Sequence, residues 1–425
     1  MQYKVLDNFF YITILLFPTS YILGNFALNL TIALSILFSL ILIIKNKSFF
    51  LFKENFLILS FIFCLLLIIS SLINIENSDF KKSLLYLRYP FFSLSIIFFH
   101  FYFSHRKINF FYKLNFIFMI FIILDFIYQI FNGKNLLGFK PRCLLDDQNN
   151  LTCDRFAGLF DQEFIMGAYL LIVAITIINI FLIINKKTKY LLLINLLIGF
   201  LILKTGEKTN FLGFVIFIIF YLYYFLKNFN RKNNILIFFL FVFSFFIAIK
   251  FDDSINKRYI QFVKNDLKTD ESKNLIYKIK ASPWLIHYRG ALEIFNKNNI
   301  LIGSGIKSFR KVCKDYDYVL SDRELREQNL RVCSTHPHNM YLEVLVESGL
   351  IGFVIFLALA IIILMKLIRS KKFLNYFLFC LIISFIFPFK PTGSIFSTIT
   401  ASLYWFILSL PIAFEKYEMK KINND

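Results

Sequence analysis

The chain has 425 residues, of which 58% are hydrophobic and only 17% are charged, and its mean hydropathy is +0.65. A soluble protein of this length needs far more surface charge, so the composition excludes a soluble enzyme and predicts an all-α polytopic membrane protein. The formal net charge of +20 could suit a nucleic-acid-binding protein. Because the positive residues lie in loops between apolar runs, we instead expect no nucleic-acid partner.

Apolar runs recur from one end of the chain to the other. A spanning helix needs about 18 to 20 apolar residues, and the runs predict about twelve transmembrane helices. They fall near 9–23, 27–44, 56–73, 84–103, 114–131, 164–184, 190–204, 210–226, 234–249, 341–367, 373–388 and 394–414.

Positive residues alternate regularly between the loops. With the N-terminus in the cytoplasm, every predicted inner loop and the C-terminal tail are basic, at 45–53, 106–113, 186–189, 227–232, 366–372 and 416–421. This positive-inside pattern predicts an even number of spans with both ends in the cytoplasm.

Two predicted outer loops are long. One covers about 132–163, and the larger one covers 251–340, between the ninth and tenth spans. Long connections in compact proteins are usually functional or disordered. Because the larger loop contains apolar stretches such as PWLIHYRGALEIF, we expect a partly helical periplasmic cap. It divides the chain into spans 1–9 (1–250), the cap, and spans 10–12 with the tail (341–425).

Four cysteines lie in these outer loops. Cys143 and Cys153 are in the first loop, and Cys313 and Cys333 are in the second. An oxidising compartment favours two local disulfides, although three pairings are possible. Since no Cys–His cluster has the spacing of a zinc site, we predict no metal and no cofactor.

A polar stretch, THPHNMYLEVLVESGLIG (335–352), interrupts the apolar sequence just before the tenth span. Ser334 or Thr335 can cap a helix here, and Pro337 suits its first turn. His338 would then lie near the positive end of the helix dipole, which disfavours imidazolium and attracts anions. A neutral histidine in that place suits a general base acting on a phosphate-bearing substrate.

On such a helix, His338 would share one face with Gly349 and Gly352. Glycines on that face would let another helix approach closely. Glu343 and Glu347 would lie on the opposite face, so we do not expect either to pair with the histidine.

The spacing His338, Asn339, nine residues, Gly349, two residues, Gly352 resembles a motif of the O-antigen ligase and polymerase superfamily. Two upstream stretches are also similar to that superfamily, YRGALEIFNKNNILIGSGIKSF and DRFAGLFDQEFIMGAYL. The first stretch matches the family pattern at Arg289, Gly303, Gly305 and Phe309. The second matches it at Arg155, Gly158, Phe160 and Gly167. The resemblance covers roughly residues 150–400.

The chain departs from the family pattern at one cation. Where the family commonly has a Ser-Arg pair entering a span, this sequence reads TGEKTNFLGF, which places Lys208 at the arginine position. Lysine keeps the charge but loses the bidentate grip on phosphate. Glu207 is a candidate to hold its amine.

The resemblance implies transfer of an O-antigen-type glycan from undecaprenyl pyrophosphate to a hydroxyl of a lipid A-core acceptor, without metal or ATP. It implies the inner membrane of a Gram-negative bacterium, with the active site facing the periplasm. The implied residues are His338, Arg289 and Lys208 for catalysis, Arg155, Asn339, Gly303 and Gly305 for substrate binding, and Gly349 and Gly352 for structure.

Several alternatives stay open. An O-antigen polymerase or a protein O-glycan transferase of the same superfamily would share the motif. A lipid-linked glycan transporter is more distant, because transporters usually have internal repeats and mid-membrane charges. A non-catalytic assembly factor would tolerate loss of His338. Other loop charges, such as Lys307 and Arg310, are expected on a solvated face.

Overall fold

The computed structural model describes residues 2–145, 151–161, 163–228, 231–261, 283–315, 334–370 and 372–424. Its main elements are α1 (Gln2–Ser20), α2 (Gly24–Lys45), α3 (Asn55–Ile73), α4 (Phe80–Tyr86), α5 (Arg88–Tyr102), α6 (His105–Asn132), β1 (Arg142–Leu145), β2 (Leu151–Arg155), α7 (Met166–Ile184), α8 (Leu191–Lys204), α9 (Lys208–Asn228), α10 (Arg231–Phe251), α11 (Pro283–Lys297), α12 (Phe309–Asp315), α13 (Met340–Ile368), α14 (Phe373–Ile386) and α15 (Thr398–Asn424). Single turns lie at Phe49–Lys53, Gly158–Phe160, Thr188–Tyr190, Asp253–Ile255 and Asn256–Gln261.

The architecture agrees with an all-α polytopic membrane protein. In the described part of the chain, seven helical segments are long and apolar enough to cross a membrane: Gly24–Lys45, Asn55–Ile73, Phe80–Tyr102, His105–Asn132, Met166–Ile184, Met340–Ile368 and Thr398–Lys420. The other predicted runs also form helices, and those in α9, α10 and α14 are apolar but shorter. The number of twelve spans stays a prediction.

The chain packs into two compact units. Unit 1 contains 1–103, 270–370 and 388–425, and unit 2 contains 104–269 and 371–387. The two units are defined by packing contacts and do not coincide with the three segments predicted from the sequence, 1–250, 251–340 and 341–425. Those three segments describe the predicted topology and stay a prediction.

Unit 1 is built on close contacts between apolar helices. α5 packs along α15, where Trp405 donates to the Tyr86 hydroxyl at 3.2 Å and its carbonyl accepts from Ser93 at 3.1 Å. α3 packs on α13, and the Ser70 hydroxyl donates to the Glu347 carbonyl at 2.9 Å. Small hydroxyls between apolar helices allow close approach and add hydrogen bonds in a medium without water.

Unit 2 contains a buried amide pair and a small hairpin. Asn179 of α7 and Asn195 of α8 exchange hydrogen bonds of 2.8 and 3.0 Å, and the Tyr221 hydroxyl of α9 joins them at 3.1 Å. Strands β1 and β2 pair antiparallel with Arg142 opposite Arg155. The pairing therefore brings two arginines together at one end of the hairpin.

Candidate active site

The polar stretch before α13 ends in a helix cap that differs from the expected one. The cap is Asn339, whose side-chain oxygen accepts from the N–H groups of Tyr341 and Leu342. The expectation of a cap at Ser334 or Thr335 is therefore wrong. His338 precedes the helix with φ +54°, a left-handed conformation in which histidine is several-fold enriched among non-glycine residues.

The backbone turn at His338 places its ring among three others of unit 1. The ring centre lies 4.2 Å from that of His336, 5.3 Å from that of His287 and 5.2 Å from that of Trp284. We call these four side chains the histidine site. Among the described residues, no three His, Cys, Asp or Glu side chains are placed to hold a metal ion.

The two histidines of the motif differ in what their ring nitrogens bind. His336 Nε2 lies 3.3 Å from the Thr392 carbonyl oxygen, and its Nδ1 lies 3.0 Å from the Thr335 hydroxyl. Because a carbonyl only accepts, Nε2 carries the proton and Nδ1 accepts from the hydroxyl. In the described part of the chain, no hydrogen bond engages the ring nitrogens of His338.

Burial keeps both motif histidines neutral. It lowers the pKa of His338 to about 4, with a further contribution from His287. It lowers the pKa of His336 to about 3, helped by the charge of Lys307. A ring with a pKa near 4 is uncharged and has a free lone pair at neutral pH, as a proton acceptor requires.

The segment between α14 and α15 forms hydrogen bonds with His338 and Asn339 and so positions them. The Thr392 N–H donates to the His338 carbonyl at 2.8 Å, and the Asn339 side-chain amide donates to the Pro388 carbonyl at 2.8 Å. Both ends of the Asn339 amide are thus used by the fold. Its predicted role in substrate binding is untested, and these contacts favour a positioning role.

Gly349 and Gly352 were expected to let another helix approach closely, but the structure shows a different contact at Gly349. Helix α13 is interrupted at Gly349, where φ is +67° and ψ is −172°. Leu350 and Ile351 there donate backbone hydrogen bonds to the carbonyls of Ile300 and Leu301. A loop segment rather than a helix therefore packs against the glycine. A side chain on Gly349 would come within 2.4 Å of the Leu301 backbone.

The opposing Gly303 and Gly305 belong to the same contact. Both have positive φ, +78° and +87°, in agreement with the predicted turn. A side chain on Gly303 would come within 2.4 Å of the Gly349 nitrogen, and the Gly305 N–H donates to the Glu347 carbonyl. These contacts favour a structural role, and their predicted role in substrate binding stays a prediction.

Beneath the motif lies a buried charge network. Glu343 is fully buried and accepts from the Ser394 hydroxyl at 2.5 Å and the Ile395 N–H at 2.8 Å. Lys307 Nζ lies 3.8 Å from Glu343 and donates to Ser394, and the side chain of Lys307 is only 13% exposed. The expectation that Lys307 lies on a solvated face is therefore wrong, because a buried carboxylate holds it. Glu347 accepts from the Lys307 N–H at 2.8 Å.

Arg289 lies on α11 in the same unit, two residues after His287. Residues two apart on a helix point about 200° away from each other, so Arg289 starts from the face opposite His287. Its side chain is half-buried, and no hydrogen bond or ion pair engages it among the described residues. Arg289 is thus close to His287 along the sequence, but no contact between Arg289 and His338 is found among the described residues.

Arg155 belongs to unit 2, where it forms part of a group of cations. Arg142, Arg155 and Arg258 together are termed the arginine cluster. The guanidinium of Arg155 lies 4.5 Å from the centre of the Phe164 ring, and that of Arg142 lies 5.9 Å from it. Arg258 lies 3.7 Å from Asp154. Burial and the charge of Arg258 lower the pKa of Arg155, and its buried Nε has no hydrogen-bond partner among the residues that the structure describes.

Lys208 is also in unit 2 and is the first residue of α9. Its neighbour Glu207 is buried and accepts from the Gly167 N–H at 2.7 Å and the Asn210 amide at 2.5 Å. Burial raises the pKa of Glu207 to about 7. A side chain on Gly167 would come within 2.9 Å of this carboxyl, which explains the glycine. The role of Lys208 stays a prediction.

A disulfide joins Cys143 to Cys153 across the hairpin. Cys313 is also disulfide-bonded, whereas Cys333 lies outside the described residues. Cys64 and Cys380 are buried thiols.

Sequence reasoning missed two parts of the site. Trp284, His287 and Ala291 lie at positions i, i+3 and i+7, a helical stripe in PWLIHYRGA that could have pointed to His287. No sequence signal links Lys307 to Ser394, 87 residues away.

Comparison with known protein families found a match over part of the chain. Residues 193–357 match the family model described as O-antigen ligase, which is under half of the chain and includes Lys208, Arg289 and His338 but not Arg155. No curated protein matches the chain. The resemblance to the O-antigen ligase and polymerase superfamily is therefore confirmed over this segment of a multi-pass membrane protein.

Proposed function

We propose that the protein is an O-antigen ligase-like glycosyltransferase. It moves an O-antigen-type glycan from undecaprenyl pyrophosphate to a hydroxyl of a lipid A-core acceptor, at the periplasmic face of the inner membrane. The observation that carries this proposal is the neutral His338 ring, whose nitrogens no described residue engages although three rings surround it. The family match over 193–357 supports it.

The chemistry assigned to His338 is removal of the acceptor proton. The acceptor oxygen attacks the anomeric carbon and forms the new glycosidic bond as its proton passes to the imidazole. The bond from the anomeric carbon to the phosphate oxygen breaks, and the diphosphate leaves with its electron pair. A single displacement inverts the configuration at that carbon.

The diphosphate also changes the histidine. In the free protein the pKa of His338 is about 4, which makes the ring a weak base. A bound anion beside the ring favours its protonated form and raises the pKa. The donor would therefore strengthen the base at the moment when the proton must be accepted.

Cations would stabilise the leaving group. Arg289 lies in the same unit as His338, and no hydrogen bond or ion pair engages its guanidinium within the described ranges. It is proposed to bind the diphosphate. Lys208 and Arg155 are proposed for the same task on the family resemblance.

The test is a transfer assay with the purified protein, the lipid-linked donor and three acceptors offered in parallel: lipid A-core, a carrier-linked repeat and a protein. We expect transfer to lipid A-core and a loss of at least about 100-fold in His338→Asn. The matched variant is His336→Asn, which removes the neighbouring ring whose nitrogens are already bonded.

His336→Asn should retain much more activity than His338→Asn. Equal rates in the two variants, or wild-type transfer by His338→Asn, would remove the assigned base. Transfer to the repeat or to the protein instead of lipid A-core would assign the enzyme as a polymerase or a protein glycan transferase.

A further inference from the structure

A cavity of about 500 Å³ lies in unit 1, lined mostly by apolar atoms with charged side chains among them. One wall is the start of α4 and the loop before it, with Asp79 and Lys81. The other wall is the segment that opens α12, with Lys307, Arg310 and Lys311. Four basic side chains and one acidic side chain therefore line the same space.

The charges that remain for a ligand are positive. Asp79 is occupied, because its carboxylate accepts from the Lys82 N–H and forms an ion pair with the Lys82 ammonium at 3.1 Å. Lys307 is held by Glu343. Lys81, Arg310 and Lys311 are exposed, and Lys311 makes one long contact, 3.3 Å, to a backbone carbonyl.

The two walls are fixed to each other. The Asp79 N–H donates to the Ile306 carbonyl at 2.8 Å, and the Ile306 N–H donates to the Ser71 hydroxyl at 3.0 Å. A side chain on Gly305 would come within 2.5 Å of Ser78, so the walls touch. The backbone segments that carry the three cations are thus fixed before a ligand arrives, which reduces the entropic cost of binding.

The position of the cavity indicates which ligand it receives. It lies next to the end of span α3, where lipid headgroups are found. Lys307 forms part of the cavity wall. Its ammonium contacts Ser394 and Glu343, and Glu343 lies in the first turn of α13, which follows His338. The cavity therefore adjoins the scaffold of the histidine site but is separated from it by a buried ion pair.

We propose that this cavity binds a phosphate group on the acceptor glycolipid, with Lys81, Arg310 and Lys311 as its ligands. The leaving diphosphate must lie at the reacting carbon, beside His338, so a phosphate beyond the Lys307–Glu343 pair belongs to the other substrate. Binding there would anchor the acceptor headgroup and present its hydroxyl. This inference rests on the proposed function.

The kinetic test uses the full-length protein in nanodiscs with intact lipid A-core and with the same acceptor after phosphatase treatment. For the variant Lys81→Gln/Arg310→Gln/Lys311→Gln, we expect the acceptor KM to rise at least about tenfold, with kcat and the donor KM unchanged. Dephosphorylation should raise the KM of the wild type similarly and add nothing in the variant. The control, Lys47→Gln/Arg106→Gln/Lys113→Gln, removes the same number of exposed charges elsewhere.

A binding test without donor separates this inference from the proposed function, because it needs no turnover. Nanodisc-bound protein is titrated with intact acceptor, with dephosphorylated acceptor, with phosphatidylglycerol vesicles and with inorganic phosphate. We expect tight binding of the intact acceptor only, lost in the triple variant. An unchanged acceptor KM, a raised donor KM, or equal binding of phosphatidylglycerol or phosphate would overturn the proposal.

Discussion

The histidine site of unit 1 and the arginine cluster of unit 2 differ in charge and in how they are held. Burial keeps His336 and His338 neutral, whereas the arginines keep their charge beside Asp154 and Phe164. The proposed glycosyl transfer needs a neutral base and fixed cations, and a nearby cation favours the neutral form of a histidine. The histidine site belongs to unit 1, and the arginine cluster belongs to unit 2.

The two regions also rest on different scaffolds. The histidine site depends on backbone fit, because the break at Gly349 lets the 300–305 segment bond to α13. Two arginines of the cluster, Arg142 and Arg155, lie on a hairpin closed by the Cys143–Cys153 disulfide. A single added carbon at Gly349 is therefore expected to disrupt the first scaffold. The hairpin, in contrast, can keep its strand pairing after the disulfide is removed.

The largest effect is expected from Gly349→Ala. The added Cβ meets Leu301 backbone atoms at 2.4 Å where φ is +67°, and the two costs together should exceed about 3 kcal/mol. We expect a much lower yield and melting temperature of purified protein. The control is Gly133→Ala, where φ is also +67° but no atom of the described residues lies within 4 Å of the added Cβ. Similar melting temperatures in both variants would show that the break is not essential.

The next effect tests the cations. Arg155→Gln removes the charge beside Phe164 and should lower kcat/KM about 100-fold, as loss of one stabilising donor does. Arg155→Lys should recover only part of this, since lysine lacks the planar fork. The measurement is the transfer rate at fixed acceptor concentration. Full activity of Arg155→Gln would restrict the chemistry to unit 1.

A smaller effect concerns pH. The pKa of His338 in the free protein is about 4, so the active neutral form persists until the pH falls through that value. We expect kcat/KM to be flat from pH 7 to 5 and to fall about tenfold per pH unit below 4. The acid limb of kcat should lie at higher pH, because the bound diphosphate raises the same pKa. An acid limb of kcat/KM near 6.5 would mean that His338 is solvated.

The smallest effect is expected from Cys143→Ser/Cys153→Ser. A cross-link over a separation of 10 residues stabilises the hairpin by about 2–3 kcal/mol, and we expect transfer to fall less than about fivefold. Proteolysis within 142–155 should become faster. Reductant should slow transfer by the wild type more than by the variant. An inactive but folded variant would show that the hairpin needs its cross-link to position Arg142 and Arg155.

The sequence predicted parts of the site that depend on local chemistry. The turn at Gly303 to Gly305 and the polar start of α13 follow from residue types within a few positions. The cap at Asn339 was missed by a few residues, because Ser334 and Thr335 are equally good capping residues and only the fold selects among them. His287 was missed because the family pattern includes Arg289, two residues later, and does not include His287.

The sequence by itself determined that the chain forms apolar helices and that its motif resembles that of O-antigen ligases, since length, hydropathy and spacing are properties of the chain. Only the tertiary structure decided which side chains meet His338, why Gly349 must be glycine and where Lys307 is buried. These features join segments tens of residues apart, and the contact that fixes each one lies on another element. Hydropathy cannot encode that partner, because a buried lysine and an exposed lysine read the same in the sequence.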